Sequence, residues 1–361
     1  MRALSVFPKQ REFRVVEVPA PRLDHEHDVL IRVKEVGICG TDREIASFHY
    51  GTPPDGSDAL VLGHEALGEV MEVGPAVRTL KPGDLVALTV RRPCPDSECQ
   101  ACRAGRQDFC VTGHFLERGI KHANGFMTEL VVEHEHYLVR VPPSLADVAV
   151  LIEPLTIAAK AGVEIEAIMR RYPWEPTGMR ALVLGGGPIG ILGVMALVSR
   201  GIQSMAYSLE PADSERAKLI RSTGSVYVSA RDVKVDELAK RFGTFDIIFE
   251  AVGNARVAFE ALEALAPNGV FIFSGVPAGH KTIDIELDLI MRNIVLKNQV
   301  LFGTVNASRS AFEASVQKLE QFMTLFPDAV RAVISDRVPL ESAPELLRES
   351  RGIKQVIQLA A

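Results

Sequence analysis

The chain has 361 residues, 47% of them hydrophobic and only 6% aromatic, which suits two domains with aliphatic cores. Its formal net charge of −6 excludes a broad basic surface, so nucleic acid is not an expected partner and a polyphosphate ligand would need a local device. No apolar run reaches membrane-spanning length, no signal-peptide core follows Met1, and four of the five cysteines are clustered, which favours thiolate chemistry in a reducing cytoplasm over a disulfide framework.

Residues 1 to about 35 read as short strands between proline-rich turns, clearest at 13–18 and 29–33. The stretch from Val36 to Glu65 then opens with Gly37-Ile38-Cys39-Gly40-Thr41-Asp42 and closes with Leu62-Gly63-His64-Glu65. A thiol, an imidazole and a carboxylate are common side-chain ligands of zinc. Cys39 sits in a tight glycine-flanked turn, and the 24 residues before His64 let the chain return to the same place. Thr41 adds a hydroxyl beside the thiol. The alternative is a buried Cys and a surface His–Glu pair. Strands continue at 68–74 and 84–90 around the turn Lys81-Pro82-Gly83-Asp84.

Cys94, Cys99, Cys102 and Cys110 fall within 17 residues. Four thiolates so spaced can close a tetrahedral shell with no open position, which makes a structural site. Arg91-Arg92 offsets some of the charge. Two disulfides in a loop are the alternative. A strand is expected at 125–132, and residues 149–168 are Ala-rich with helical spacing. Glu153 lies inside that apolar run. Such a carboxylate is either paired or ligating, or it is a helix N-terminal charge ahead of Pro154.

Residues 180–305 alternate strands and helices. Strands are expected at 180–184, 204–210, 245–250, 269–273 and 300–303, with helices from Gly190 to about Ser199, at 214–223 and at 257–266. This alternation predicts a parallel doubly wound sheet. Gly185-x-Gly187-x-x-Gly190 lies between the first strand and its helix, with Pro188 and Ile189 in the turn. In that context the loop cradles a dinucleotide pyrophosphate at the helix N-terminus. Glu210, 25 residues after Gly185, stands where an acid accepts hydrogen bonds from the adenosine ribose. A helix at 310–325 and a strand at 355–359 end the chain.

With these motifs in this order, the chain resembles the zinc-dependent medium-chain dehydrogenase/reductase superfamily over essentially its whole length. It looks most like the glucose 1-dehydrogenase branch, on Val61-Leu62-Gly63-His64-Glu65-Ala66, Val90-Arg91-Arg92-Pro93-Cys94, residues 102–110, Gly125-Phe126-Met127, Ile152-Glu153-Pro154-Leu155 and Val305-Asn306. The resemblance implies an α/β protein. A GroES-like β-rich catalytic domain would comprise 1–155 and 306–361, with a structural zinc lobe near 91–112, and a Rossmann domain would comprise 156–305. It implies a catalytic zinc on Cys39, His64 and one or both of Glu65 and Glu153, and a second zinc on the four clustered cysteines. Thr41, Glu117, Glu153 and Asn306 would line a sugar site. The cofactor site would continue from the glycine loop to Val252, Gly253, Gly275, Val276, Thr304 and Asn306. The implied reaction is oxidation of the C1 hydroxyl of an aldose, D-glucose foremost, to the lactone with hydride transfer to NAD(P). A polyol or other sugar dehydrogenase of the same superfamily, and a non-catalytic dinucleotide-binding protein, are the alternatives. A homodimer or homotetramer is implied, with apolar β-prone runs in residues 283–302 as the contact.

Several features depart from or refine the family pattern. The first gap in the cysteine lobe is four residues where two are usual, so that loop should bulge. Glu44 stands where alcohol dehydrogenases carry a proton-relay His, and His49 is the nearest substitute. A thiolate and two carboxylates would leave a Zn²⁺ site at −1, so Glu65 and Glu153 are not expected to bind tightly together. Glu210 suits the two ribose hydroxyls of NAD and repels the 2′-phosphate of NADP. Residues 211–215 hold no cation, and Arg216 is expected to point toward the adenine or solvent. NAD is therefore expected to be preferred, by at least about tenfold, with NADP accepted less well.

Overall fold

The computed structural model describes residues 1–277, 279 and 282–359. It contains two compact units, one of Met1–Thr156, Asn306–Glu320 and Ile334–Ala361, the other of Ile157–Val305 and Gln321–Val333. The C-terminal block expected in one domain is thus divided, because residues 321–333 pack with the second unit.

The first unit is built on a seven-stranded sheet. Its central strand, Asp28–Gly37, buries Val29, Ile31 and Val33 completely while Arg32 and Lys34 face outward, which is the two-residue period of a half-buried strand. Glu65–Val73 pairs with it antiparallel on one side, and Lys354–Gln358 pairs with it antiparallel on the other. The expected strand at 125–132 forms only as Leu130–His134. Residues 125–128 instead lace loops together, with Gly125 N–H donating to Val61 O and Met127 N–H to Leu62 O.

In the second unit six parallel strands run in the order Val226–Ser229, Gln203–Ser208, Arg180–Leu184, Phe245–Glu250, Leu265–Phe273, Val300–Gly303. This is the doubly wound order of a dinucleotide-binding sheet. Leu182, Ile248 and Phe271 form its buried centre with Phe245 and Leu238. Val226–Ser229 has no counterpart among the expected strands; it is four residues long and ends the sheet. The β-prone reading of 283–302 is corrected, since Leu287–Leu296 is a helix and only Val300–Gly303 is a strand. Among the described residues no helix is long and apolar enough to cross a membrane.

Candidate active site

The pairing of the central strand places Gly37 opposite Glu65, so Cys39, two residues on, meets His64 and Glu65. One ligand atom from each of the three lies within 4.8 Å of the others. A Cβ at position 37 would collide with a Glu65 carboxylate oxygen, so any larger residue there would displace the Glu65 carboxylate. Cys39 caps the helix Gly40–Ala46, and the fully buried Asp42 accepts the Cys39 N–H at 2.8 Å. The other oxygen of Asp42 is 3.4 Å from His64 Nδ1, which leaves Nε2 outside that contact. A carboxylate behind an imidazole is the usual device for orienting a metal-ligating His. Burial alone would lower the His64 pKa, but Asp42 and then Cys39 carry it well above the ordinary value. Burial would raise that of Asp42, yet His64 and the Cys39 amide bring it down. A cation on Nε2 would displace the His64 proton, since only neutral imidazole ligates.

Glu65 has a partner that the motif does not reveal. Lys354, 2% exposed, donates to Glu65 Oε2 at 2.5 Å, to Oε1 at 2.8 Å and to Ile38 O at 3.1 Å. Burial lowers the Lys354 pKa, and the charges of Glu65 and Cys39 more than restore it. Glu153 lies in the first turn of the helix Ile152–Met169 and is outside the close group of three. Although part of its surface meets solvent, burial pushes its pKa up to about 7, with Glu65 adding to the rise and His64 and Lys354 opposing it. Thr41 is half-buried one residue after Gly40, and His49 is exposed in the turn beyond the helix.

Glu117 is buried and paired in register with Arg91 across two short strands. Its Oε1 accepts Arg91 Nη2 at 2.9 Å, Arg91 Nε at 3.1 Å and Asn306 Nδ2 at 2.6 Å. Asn306 holds a left-handed backbone (φ 58°) and its Oδ1 accepts the Ala307 N–H at 2.8 Å. The structure therefore joins Glu117 to Asn306, which are 189 residues apart.

The four lobe cysteines are free thiols whose sulfurs lie within 4.8 Å of one another, a set that fits a tetrahedral thiolate metal site. The long first gap folds as a turn, with Asp96 O accepting the Cys99 N–H at 3.3 Å and Asp96 Oδ1 accepting the Glu98 N–H at 2.9 Å. Burial would raise the Cys110 pKa, but the Thr112 hydroxyl and the Thr112 and Gly113 amides bring it to about 6; burial pushes Cys102 to about 12.

In the second unit Gly187 caps the helix Pro188–Val198, and Pro188 holds the first helical position. A Cβ at Gly190 would strike Gly185 O, so the third glycine permits the tight strand-to-helix turn. Glu210 follows the second strand, with Ser208 Oγ donating to one of its oxygens and Arg216 to the other. Arg216 thus does not point away as expected. Its stem lies over the glycine loop, with Cδ 3.2 Å from where a Gly186 Cβ would sit. Arg231 Nε reaches Leu209 O at 3.0 Å, so a second guanidinium borders the turn that carries Glu210. Val252, Gly253 and Gly275 gather around the buried Glu250, whose oxygens accept all three of their amides at 2.7, 2.7 and 3.2 Å. The side chains of Val252 and Val276 are exposed, and Thr304 Oγ1 is buried without a hydrogen-bond partner among the described residues.

Asp42, Lys354, Arg91 and Glu250 are the site residues that sequence reasoning missed. Asp42 carried a readable signal, an acid three residues after a helix-capping position. Lys354 carried none, because it opens a mixed strand, Lys354–Gln358, and its partner is 289 residues away.

A family model described as "Alcohol dehydrogenase GroES-like domain" matches residues 25–143, and one described as "Glucose dehydrogenase C-terminus" matches residues 146–359. The chain is 36% identical to a glucose 1-dehydrogenase of Methanocella arvoryzae over 100% of both chains. It is 38% identical to glucose 1-dehydrogenase 2 of Vulcanisaeta moutnovskia over 99% of both. Its fold matches Haloferax mediterranei glucose dehydrogenase, solved in complex with NADP, Zn and gluconolactone, with a TM-score of 0.90 at 32% identity over 100% of both chains. With metal-binding geometry, nucleotide loop and full-length likeness in agreement, the chain belongs to the glucose 1-dehydrogenase branch of the zinc-dependent medium-chain dehydrogenase/reductase superfamily.

Proposed function

We propose that the protein oxidises the C1 hydroxyl of an aldose, D-glucose foremost, to the lactone, with the hydride passing to NAD(P). The observation that carries this reading is the presence in one unit of a Cys39–His64–Glu65 group and a hydrogen-bonded pair of the buried Glu117 with Asn306. Cys39 and His64 would hold a zinc ion, which would supply Lewis-acid polarisation of the C1 oxygen, and a bound nicotinamide would supply the hydride acceptor. The chain's own residues position and discharge the sugar. Thr41 takes the proton of the C1 hydroxyl at Oγ1 and hands it outward. Asp42 fixes the His64 ring. Lys354 donates to both Glu65 oxygens and so competes for their lone pairs, which weakens Glu65 as a ligand, and either Glu65 or Glu153, not both, completes the set. Either arrangement avoids a thiolate and two carboxylates on one ion. Glu117 accepts from a sugar hydroxyl, and Asn306 keeps its carboxylate in place; a polyhydroxylated substrate needs such paired groups.

In the second unit the glycine loop and the N-terminus of Pro188–Val198 hold the pyrophosphate. The amides of Val252, Gly253 and Gly275 are taken up by Glu250, so their contact with the cofactor runs through carbonyls and the Val252 and Val276 side chains, with the Thr304 hydroxyl as a further donor. Glu210 favours the ribose hydroxyls of NAD. Arg216 opposes its charge and offers a partner to the phosphate of NADP, so both cofactors are accepted and the preference for NAD is smaller than an unopposed acid would give.

We infer that the contact with another copy is made by the second unit through a helix and not through β-prone runs. Leu287, Met291 and Val295 form a stripe along the helix Leu287–Leu296 and are each more than half exposed, at 61%, 61% and 68%. A monomer at micromolar concentration by sedimentation would refute this assignment.

The relatives named glucose 1-dehydrogenase, alike over nearly the whole chain, support the aldose over the polyol reading. A screen of aldoses and polyols with each cofactor, beside metal analysis, tests the proposal. Two zinc per subunit and aldose turnover are expected. Faster turnover of polyols would favour the polyol reading, and one zinc or none without turnover the non-catalytic one.

A further inference from the structure

Arg91 lies between the sugar-site carboxylate and the cysteine lobe. Only 7% exposed, it directs Nε and Nη2 onto Glu117 Oε1. Its third nitrogen, Nη1, turns the other way and donates to Asp108 O at 3.3 Å and Gln107 O at 3.4 Å. Gln107 Nε2 donates back to Arg91 O at 3.3 Å, and the guanidinium stacks 3.7 Å above the Phe115 ring. Both carbonyls belong to the short helical turn Gln107–Phe109, held between Cys102 and Cys110. A planar fork fixed at both ends has little freedom to reorient, and a lysine cannot make the same set of bonds. Oε1 of Glu117 is the shared acceptor of Arg91 and Asn306, so the place of Arg91 also fixes that of Asn306.

We infer that Arg91 is a positioning residue for sugar recognition, and that through it the four-cysteine lobe sets the affinity for the aldose. The inference rests on the reading of Glu117 as a sugar contact. The lobe then has a role beyond holding its own loop. Clamping Cys102 and Cys110 fixes two carbonyls, these fix the guanidinium, and the guanidinium presents Glu117 to a sugar hydroxyl.

The test uses zinc-loaded enzyme and three readouts: steady-state KM and kcat for D-glucose, the Kd of gluconolactone by calorimetry without turnover, and the Kd of NAD. Arg91→Lys keeps a cation beside Glu117 but loses the fork to the lobe. It should raise the glucose KM and the gluconolactone Kd by roughly tenfold to a hundredfold, the range for a hydrogen bond to a charged group, with kcat and the NAD Kd changed by less than about threefold. Cys102→Ser, shown by metal analysis to keep one zinc per subunit, should raise the same two constants. In the double variant the effects should fall short of additive, because both changes break one chain of contacts. If Arg91→Lys does not fold, Arg91→Gln, which keeps a donor for Glu117, is measured in its place. Equal losses in kcat, sugar affinity and NAD affinity would make Arg91 a support of the fold only and overturn the inference. Full additivity of the two changes would overturn the link to the lobe. A Glu117→Ala variant separates the levels: an unchanged glucose KM would reject Glu117 as a sugar contact, whereas a raised KM beside a silent Arg91→Lys would reject this inference alone.

Discussion

Lys354 Nζ lies 2.5 Å from Glu65 Oε2 in an ion pair in which neither side chain is more than 2% exposed. The pair joins the last strand of the chain to the carboxylate beside His64. A buried pair of this kind adds little net stability, but removal of one partner leaves an uncompensated charge and costs about 3–5 kcal/mol. Lys354→Met should therefore lower the unfolding free energy by about that amount in chelator-treated protein. Saturating zinc should recover part of the loss, because Glu65 then gains a cation. Urea unfolding with and without zinc measures both values, and an equal deficit in the two conditions would show that Glu65 does not turn to the metal.

The two metal sites should separate by mutation. Cys39→Ala should abolish turnover yet leave the melting temperature nearly unchanged, since an open catalytic site contributes little to the core. Cys102→Ala should reduce zinc from two to one per subunit and lower the melting temperature, because a closed four-thiolate site contributes folding free energy. A Cys102 variant as heat-stable as the parent and with full metal would show that the lobe does not bind zinc.

Much of this was legible in the sequence, for reasons that differ by residue. The glycine loop was readable because its strand, its turn and its helix cap each carry a local signal at Arg180–Leu184, Gly185 and Pro188. Cys39 and His64 were readable by ligand type and by a gap long enough to close. The segment Leu287–Leu296 looks β-prone in sequence because Ile290, Ile294 and Val295 favour strands by shape, while the four-residue recurrence of Leu287, Met291 and Val295 decides for a helix. Contacts between distant charges were not legible. Nothing local to Glu65 names Lys354, and nothing in 211–215 shows that Arg216 folds back over Gly186 onto Glu210.

That last contact alters the cofactor expectation. With Arg216 paired to Glu210, the wild type should turn over NADP as well as NAD, with kcat/KM for NAD ahead by less than about tenfold. Arg216→Ala should widen the gap by about tenfold more, chiefly through the KM for NADP. Glu210→Ala should invert it. Steady-state kinetics with both cofactors decide the matter, and an Arg216→Ala variant with an unchanged ratio would remove Arg216 from cofactor choice.

The turn around Glu135 should give the fold a defined acid dependence. Burial alone would raise the Glu135 pKa, but hydrogen bonds from His27, the Thr79 hydroxyl and the Arg78 amide hold it at about 2. A fall from 4.5 to about 2 corresponds to about 3 kcal/mol, or about 1–2 kcal/mol after allowance for partial exposure. The pKa is depressed in the folded state, so this stability is fully present above pH 4.5 and is lost as pH falls through about 2. Glu135→Gln should be less stable than the parent at pH 7, and the difference should shrink below pH 4.5. A pH-independent difference would contradict the assignment.

The central claim is C1 oxidation of an aldose by hydride transfer, and the most direct measurement follows the C1 hydrogen. Zinc-loaded enzyme is given D-glucose deuterated at C1 with NAD⁺, and both products are examined by NMR and mass spectrometry. The account predicts gluconolactone without deuterium, one deuterium at nicotinamide C4, and loss of both signals in Cys39→Ala. A reduced cofactor without the label, or oxidation at any other carbon of the sugar, would contradict it.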